Sequence, residues 1–435
     1  MTKFPFLPLL ICLFLLCGCA PLPAAPGLET LEPSTSVTTV PCTEPTEEPQ
    51  EVLLYQDVKA MWLSQFDLVE IYRDGNRQRE EGDFTARMEQ VLDLAKEQGF
   101  NTVFLQIRPY ADSMYPSSLY PLSACVTGQI GDEAAYDPVE IIVELAHARG
   151  LSAHGWINPL RGMTEKEMET LSTDFTFRQW YDDEALRGKY IVLLNGRWYL
   201  NPAYESVREL ICAGAEEALT LYDFDGLHMD DYFYPTTEES FDAEAYASYL
   251  ANGGSLELAD FRRENISLLV RQLYEITHAS RPGRVFGISP AGNVETVYHS
   301  QYADVYRWCA ETGFVDYLCP QVYFGLEHGS HDFVKVCKLY QDMIQADSVD
   351  LIIGMTFGKA FTQEDPWAGA GKEEWKNRQD ILARCLETTK ALEKCRGVAV
   401  FSYQYFFDPL TGEPIPETEA ERAAFVPILQ KISWN

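Results

Sequence analysis

The stretch Asp225-Gly-Leu-His-Met-Asp-Asp-Tyr-Phe-Tyr-Pro235 decides how the rest of the chain is interpreted. It has the pattern of a strand that begins in the core and ends in two adjacent carboxylates, an aromatic cluster and a proline. Because side chains alternate between the two faces of a strand, Leu227 and Met229 share one face. His228 and Asp230 share the other. Charged groups are rarely buried without partners, so this strand either lines a polar pocket or holds a structural ion pair.

The composition is that of an acidic chain with a large core. The 435 residues are 46% hydrophobic and 13% aromatic, which supports a sizeable folded domain. The formal net charge of −32 repels polyanions, and no basic stripe is present, so we expect no nucleic-acid partner. The cysteines form no C-x-x-C pair, so the usual zinc and redox signatures are absent from the sequence.

The N-terminal sequence predicts export and membrane anchoring. Lys3 precedes an apolar run that is too short to span a bilayer, which indicates a lipoprotein signal peptide over residues 1–18. Leu16-Cys-Gly-Cys19 resembles the bacterial lipobox, and this resemblance makes Cys19 the lipidated residue. Residues 19–52 are rich in Pro, Thr and Glu and predict a disordered linker. We expect a cell-envelope protein, lipid-anchored to the outer face of the plasma membrane. The alternative is a secreted protein.

Strand and helix patterns alternate from residue 53 to the end of the chain. Asp83 and Asp137 predict helix N-termini, and Gly99 and Gly150 predict helix C-termini. Strands are predicted at 60–66, 102–108, 151–158, the 225–235 stretch, 284–290, 315–323, 351–357 and 397–404. This alternation predicts an α/β domain over 53–435, a (β/α)8 TIM barrel with long βα loops. An open doubly wound sheet is the alternative, but its usual glycine-rich turn after the first strand is missing.

Alternation along these strands directs polar side chains toward one end of the barrel, where barrel enzymes hold their active sites. The residues expected to face inward are Gln106, Arg108, His154, Trp156, Asn158, His228, Asp230, Gln321 and Tyr323, with Ser402 and Gln404 as further candidates. The loops beyond the strands carry the rings of Tyr110, Tyr115, Trp180, Tyr181, Trp198, Tyr199, Tyr232, Phe233, Tyr234 and Trp367. Aromatic rings beside carboxylates and amides suit a sugar. We therefore expect a pocket that binds polysaccharide.

The predicted pocket offers carboxylates rather than a cofactor site. The chain has no H-E-x-x-H, Walker loop, G-x-G-x-x-G or G-x-S-x-G motif, so we expect no cofactor and no metal. Glycoside hydrolysis needs two carboxyl groups. One protonates the leaving oxygen, and the other attacks the anomeric carbon or activates water.

Six segments resemble the glycosyl-hydrolase-like family 10 of bacterial envelope lipoproteins. They are Met61-Trp-Leu-Ser64, Gln106-Ile-Arg-Pro-Tyr-Ala-Asp112, His154-Gly-Trp-Ile-Asn-Pro159, the 225–235 stretch, Gly287-Ile-Ser-Pro-Ala-Gly292 and Pro320-Gln-Val-Tyr323. The motifs occur in the family's order and cover nearly the whole domain. The resemblance implies a TIM-barrel glycoside hydrolase that acts on glycan strands, with peptidoglycan as the expected substrate.

Asp225-Gly-Leu-His-Met-Asp230 also resembles the strand-four D-G-x-R-x-D pattern of α-amylase-type barrels. That resemblance makes Asp230 the nucleophile, with His228 at the arginine position orienting it. The sequence departs from the pattern at the end of strand five, where Ser289-Pro-Ala-Gly-Asn293 contains no carboxylate. The residues eligible as the acid are Asp231, Asp112, Asp67, Glu295 and Glu327, of which Asp231 and Asp112 are favoured. Asp231 points away from Asp230 unless the strand ends between them.

Three other interpretations stay open. The missing strand-five glutamate allows a non-catalytic, glycan-binding barrel lipoprotein. Asp230, Asp231 and His228 together could instead bind a metal in an envelope hydrolase. The aspartates could also belong to a structural network with Arg108 and His154.

Overall fold

Eight parallel strands close into a barrel in the computed structural model, which describes residues 51–434. The strands are β1 Val58–Leu63, β2 Thr102–Arg108, β3 Ser152–Ile157, β4 Gly226–Met229, β5 Val285–Ile288, β6 Tyr317–Leu318, β7 Asp350–Thr356 and β8 Cys395–Phe401. Each strand pairs with its neighbours in sequence, and β1 closes the barrel against β8. The predicted TIM barrel is confirmed. The predicted signal peptide, Cys19 and nearly all of the predicted linker lie outside the described residues.

Helices connect the strands around the outside of the barrel. The main helices are α1 Glu81–Glu97, α2 Pro138–Ala148, α3 Glu205–Leu221, α4 Leu258–Ser280, α5 Val305–Ala310, α6 Phe333–Met343, α7 Ile381–Thr389 and α8 Glu419–Leu429. Shorter helices are Gln65–Tyr72, Ala124–Thr127, Glu165–Thr170, Thr176–Asp182, Ala243–Ala251, Val294–His299, Gly358–Thr362 and Glu374–Asn377. Within residues 51–434, no helix combines the length and the apolar character needed to cross a bilayer.

Capping explains where the helices begin and end. Asp137 accepts hydrogen bonds from the Val139 and Glu140 amides at the start of α2, as predicted. Gly99 follows α1 with φ at +101°, the left-handed conformation that glycine tolerates at a helix end. The prediction of Asp83 as an N-cap is wrong, because α1 begins two residues earlier. The Asp83 carboxylate is instead paired with arginines on either side of it in the sequence.

The longest insertion between strand and helix lies between β3 and α3. It contains a three-stranded antiparallel sheet made of Arg161–Thr164, Ile191–Leu194 and Arg197–Leu200. Because Arg161 lies four residues after the end of β3, this small sheet starts beside the C-terminal mouth of the barrel.

The strands separate two apolar layers. Side chains inside the barrel form a small cluster of Ala60, Trp62, Phe104, Trp156, Tyr317, Cys319, Ile352 and Ala399. The opposite faces of the strands pack against the helices, and Leu227 and Met229 of β4 belong to that outer core. The predicted alternation of β4 is therefore confirmed.

Arg108 faces the helices, not the barrel interior as alternation predicted. The pairing of β2 with β3 shifts register between Gln106 and Arg108, so the side chain that follows turns to the other face. Arg108 is 2% exposed and donates a hydrogen bond of 2.9 Å to the Gly214 carbonyl of α3. Its guanidinium carbon lies 4.1 Å from the centre of the Tyr120 ring. Arg108 therefore ties the barrel to α3 and lies away from the pocket.

Candidate active site

The two carboxylates of the 225–235 stretch line one cavity at the C-terminal end of the barrel. Strand β4 ends at Met229, so the alternation no longer applies to Asp230 and Asp231. Both side chains line a cavity of about 210 Å³. Its other lining residues are Trp62, Ser64, Phe66, Gln106, Trp156, Arg161, Tyr232, Gln321, Tyr323 and Phe401.

Asp230 is held by two donors, one directly after β3 and one in its own loop after β4. The Asn158 side chain donates to Oδ2 of Asp230, and the Tyr232 amide donates to Oδ1 at 3.1 Å. Gln106 donates to the side-chain oxygen of Asn158 at 2.7 Å and accepts from the Gln65 amide at 2.8 Å. Two side chains, at the ends of β2 and β3, and one amide after β4 therefore orient this carboxylate, which is only 3% exposed.

Burial controls the ionisation of the carboxylate pair. It raises the pKa of Asp230 well above the ordinary value, and the negative charge of Asp231 raises it further. Burial also raises the pKa of Asp231, although the neighbouring Gln321 amide and the Arg161 cation favour its ionised form. The pair therefore keeps a proton at a higher pH than two exposed aspartates would.

The indole of Trp156 is a third polar group beside Asp230. It lies close enough to favour the ionised form of that carboxylate. Within the described part of the chain, however, its buried N–H has no acceptor within hydrogen-bonding geometry. A small shift of the Asp230 carboxylate would complete this hydrogen bond.

His228 and His154 lie beneath the cavity and not in it. The hydroxyl of Tyr317 is 2.9 Å from Nδ1 of His228 and 3.1 Å from Nδ1 of His154. Trp62, which lines the cavity, donates its indole N–H to Nε2 of His228 at 3.3 Å. Burial lowers the pKa of both imidazoles, that of His154 to about 4, so both are neutral. His228 therefore positions Trp62.

This arrangement also bears on the metal interpretation. Both ring nitrogens of His228 are engaged by Trp62 and Tyr317, so His228 is not free to act as a ligand beside Asp230 and Asp231. Among residues 51–434, no group of three or more His, Cys, Asp or Glu side chains is arranged to hold a metal ion.

Asp112 lies outside the cavity. It is 3% exposed in the loop after β2, and its Oδ1 accepts a hydrogen bond of 2.8 Å from the Tyr110 amide. Burial raises its pKa to about 6, against the hydrogen bonds from Ser123 and the Tyr110 amide. These contacts shape the loop that carries Tyr110.

The remaining eligible acids are also elsewhere. Asp67 caps the helix that follows β1 by bonding Ser64, and it also accepts hydrogen bonds from Ser402 and the Gln404 amide. Glu295 and Glu327 are exposed. Of the five residues that the sequence left eligible, only Asp231 shares the cavity with Asp230.

The sequence profile of the glycosyl hydrolase-like 10 family matches residues 57–369, most of the barrel. The chain belongs to this family. It is 33% identical over 320 residues to glycosyl hydrolase YngK of Bacillus subtilis, covering 69% of this chain and 60% of that protein. It is 29% identical over 346 residues to glycosyl hydrolase DigH of Escherichia coli K12, covering 74% of this chain and 76% of that protein.

Two solved structures share the barrel architecture. The glycoside hydrolase domain of PgaB (BpsB) from Bordetella bronchiseptica has a TM-score of 0.51 at 14% identity, covering 85% of this chain and 98% of that one. The catalytic domain of the β-amylase from Paenibacillus polymyxa has a TM-score of 0.54 at 9% identity, covering 86% and 98%. At these identities the likeness concerns the fold alone.

In this member of the glycosyl hydrolase-like 10 family, the loop aromatics divide into packing residues and rim residues. Tyr115, Trp180, Trp198, Phe233 and Tyr234 are buried, and Tyr110, Tyr181 and Tyr199 are half-buried. Tyr232 and Trp367 are 43% and 87% exposed. Phe66, which sequence reasoning missed, is 62% exposed and lines the cavity. Its position, three residues after the end of β1, could have indicated that it lies at the mouth of the barrel.

Arg161 is a second residue that sequence reasoning missed. Its guanidinium carbon lies 4.5 Å from the centre of the Tyr110 ring and 4.0 Å from that of Tyr232. Arg197 of the same small sheet lies 4.2 Å from the Tyr110 ring. The β3–α3 insertion thus brings positive charge to the mouth of the cavity.

A second cavity of about 470 Å³ adjoins the first. The two share Arg161, Asp231 and Tyr232. The second is bounded by Tyr199, by residues 233–237 after β4, and by Ser300 and Gln301. The carboxylates of this family member therefore lie along a longer cleft.

Proposed function

We propose that the protein is a glycoside hydrolase that cleaves polysaccharide, with peptidoglycan glycan strands as its substrate. The observation that carries this proposal is the pair of carboxylates, Asp230 and Asp231, in one cavity at the C-terminal mouth of a TIM barrel. Membership of the glycosyl hydrolase-like 10 family supports the reaction class. A cleft that continues past the carboxylates suits a polymer.

The hydrogen bonds distinguish the roles of the two aspartates. Asp230 accepts N–H donors on both oxygens, which favours its ionised form. We therefore assign Asp230 as the nucleophile or base and Asp231 as the acid, and one proton is held by the pair because burial raises the pKa of both groups. In the reaction, Asp231 gives that proton to the glycosidic oxygen as the C–O bond breaks. Asp230 then follows one of two routes. It attacks the anomeric carbon to form an ester, which water hydrolyses as Asp231 takes a proton back, or it removes a proton from a water that attacks that carbon directly.

The remaining lining groups suit a sugar. The amide of Gln321 and the hydroxyl of Tyr323 can bond sugar hydroxyls, while the rings of Trp156 and Tyr232 can stack on its C–H faces. Gln106 and Asn158 act on the substrate through Asp230, which they orient.

Digestion of purified glycan strands tests the proposal directly. The wild type should create new reducing ends, identified by mass analysis of the products, while Asp230→Asn should not. Asp112→Asn is the matched control, since it removes a buried carboxylate outside the cavity and should retain activity. Strands that bind without any new reducing ends would favour the non-catalytic glycan-binding barrel.

We also propose that the protein is anchored in the cell envelope through Cys19, which would place the barrel beside peptidoglycan. The support is the resemblance of Leu16-Cys-Gly-Cys19 to a lipobox. Cells fed a palmitate analogue should label the full chain, and Cys19→Ser should abolish the label. Cys17→Ser should retain it. An unlabelled wild type would instead indicate a secreted protein.

A further inference from the structure

Arg161 is a cation beside the carboxylate pair whose hydrogen-bond donors are uncommitted. Within residues 51–434, its guanidinium has neither an ion-pair partner nor a hydrogen-bond acceptor, and its neighbours are the rings of Tyr110 and Tyr232. Ring contacts hold a guanidinium in place and leave its N–H groups, which lie in one plane, free to donate. Arg161 is therefore fixed in position but has no acceptor of its own.

The position of Arg161 places those donors at the reacting part of the cleft. It lines both cavities where they meet, together with Asp231 and Tyr232. A protein with a net charge of −32 and two carboxylates in its cleft repels an anionic ligand unless a local cation is present. Arg161 supplies that charge, and it opposes the rise in the pKa of both aspartates.

We propose that Arg161 binds a carboxylate carried by the glycan next to the bond that is cleaved, so that the protein selects acidic sugars. This inference rests on the proposed function and names the substrate class of the same site. Arginine and carboxylate form paired, charge-assisted hydrogen bonds, which provide geometric selection as well as affinity. In peptidoglycan strands, muramic acid presents a carboxyl group on its lactyl ether. The acidic surface disfavours densely charged phosphate polymers.

Matched acidic and neutral strands test the proposal. One substrate is peptidoglycan glycan strands with free muramic acid carboxylates, and the other is the same strands after reduction of those carboxylates to alcohols. The wild type should have a higher kcat/KM on the acidic strands by roughly 10- to 100-fold, the range for a hydrogen bond to a charged group. Arg161→Gln should abolish this preference, mostly through KM, and Arg161→Lys should restore part of it.

Arg197→Gln is the matched control, because Arg197 contacts the same Tyr110 ring without lining either cavity. It should keep the preference for acidic strands. Equal cleavage of both strands by the wild type, or an unchanged preference in Arg161→Gln, would overturn the role of Arg161.

If the wild type cleaves neither strand, the hydrolase proposal fails, and this outcome is distinct from a failure of the proposed role of Arg161. In that case, calorimetric titration of Asp230→Asn with the two strands still tests Arg161. Tighter binding of the acidic strand that disappears in the double variant Asp230→Asn/Arg161→Gln would support the inference. Equal binding of both strands would refute it.

Discussion

Asp225 and Asp230 lie five residues apart, at opposite ends of β4, and their surroundings differ in kind. Asp225 accepts hydrogen bonds from the Leu53 and Ala153 amides at 2.7 and 2.8 Å and contacts His147 at 2.9 Å. Although burial opposes ionisation, these contacts keep the pKa of Asp225 below its ordinary value. At Asp230, burial and the charge of Asp231 prevail, and the pKa rises. One carboxylate stabilises the fold, and the other is prepared for proton chemistry.

A similar contrast separates the cavities at the two ends of the barrel. The cavity at the N-terminal end of the barrel, about 410 Å³, is lined by His154, Asp316 and Asp350 among others. The Asp316 carboxylate of this cavity is engaged, because it accepts from the Phe286 amide at 2.7 Å and contacts His278 at 2.9 Å. The carboxylate cavity at the other end is about half that volume. The chemistry available depends on how the polar groups are paired, and volume does not decide it.

The largest expected effect is the loss of activity in Asp230→Asn. We expect kcat/KM to fall by about 10²- to 10⁴-fold, the usual contribution of a group that acts in acid–base catalysis, or by more if Asp230 is the nucleophile. The amide keeps the size of the carboxylate and removes its repulsion with Asp231, so the fold should persist. Reducing-end assays and circular dichroism measure the two properties. A folded, fully active variant would contradict the assignment.

Asp225→Asn should show the opposite pattern, a loss of stability with activity retained. The substitution replaces one carboxylate oxygen, which accepts a hydrogen bond, with an NH2 group that faces the same N–H donor. We therefore expect the free energy of unfolding to fall by about 1–3 kcal/mol. Urea denaturation monitored by tryptophan fluorescence measures this loss. Retention of kcat/KM at low temperature is the control. If Asp225→Asn and Asp230→Asn lost activity equally, the assignment of a structural role to Asp225 and a catalytic role to Asp230 would be wrong.

The two carboxylates should also affect stability with opposite dependence on pH. Because the folded-state pKa of Asp225 is lowered, its contribution is present above about pH 4, the ordinary value, and is lost as pH falls through the folded-state pKa. Because the pKa of Asp230 is raised, folding becomes less favourable as pH rises from about 4 toward the folded-state pKa. Asp230→Asn should therefore gain stability relative to wild type as pH rises, while Asp225→Asn loses it. Denaturation at about pH 2 and pH 4 measures the effect at Asp225, and denaturation at about pH 4 and pH 7 measures the effect at Asp230.

The smallest expected effect is that of Tyr317→Phe, which tests the hydrogen bonds inside the barrel beneath the carboxylate cavity. The substitution removes the hydroxyl shared by His228 and His154, and we expect the free energy of unfolding to fall by about 1 kcal/mol. Trp62 keeps its own bond to His228, so activity should change little. A large loss of activity would instead place the histidine chain in the catalytic machinery.

Local patterns were sufficient to predict the elements of the barrel. Alternation identified β4 because Leu227 and Met229 are apolar and lie two residues apart, and Asp137 with Pro138 predicted the start of α2. The patterns failed where a contact distant in sequence intervened. Arg108 left the interior because of a register shift against β3. The prediction of Asp83 as a cap failed for a local reason instead, because α1 begins at Glu81.

The candidate site was predicted only in part. The cavity does contain Gln106, Trp156, Asp230, Asp231, Tyr232, Gln321 and Tyr323, which strand position and neighbouring motifs had indicated. Arg108, His154, His228, Asp112 and Asn158 do not line it, and each is bonded to other protein groups. Arg161 was not predicted, because it belongs to an insertion whose position over the barrel no strand pattern encodes.

The sequence by itself determined the barrel and the end at which polar groups gather, because both depend on periodicity along single strands. Only the tertiary structure decided which of those groups face one another. Asp231 became the partner of Asp230 because β4 ends at Met229, and Arg161 joined them because the small sheet after β3 starts at the mouth of the barrel. Which side chains meet depends on where strands end and how inserted segments pack. Those properties arise from contacts between segments that are far apart in the chain.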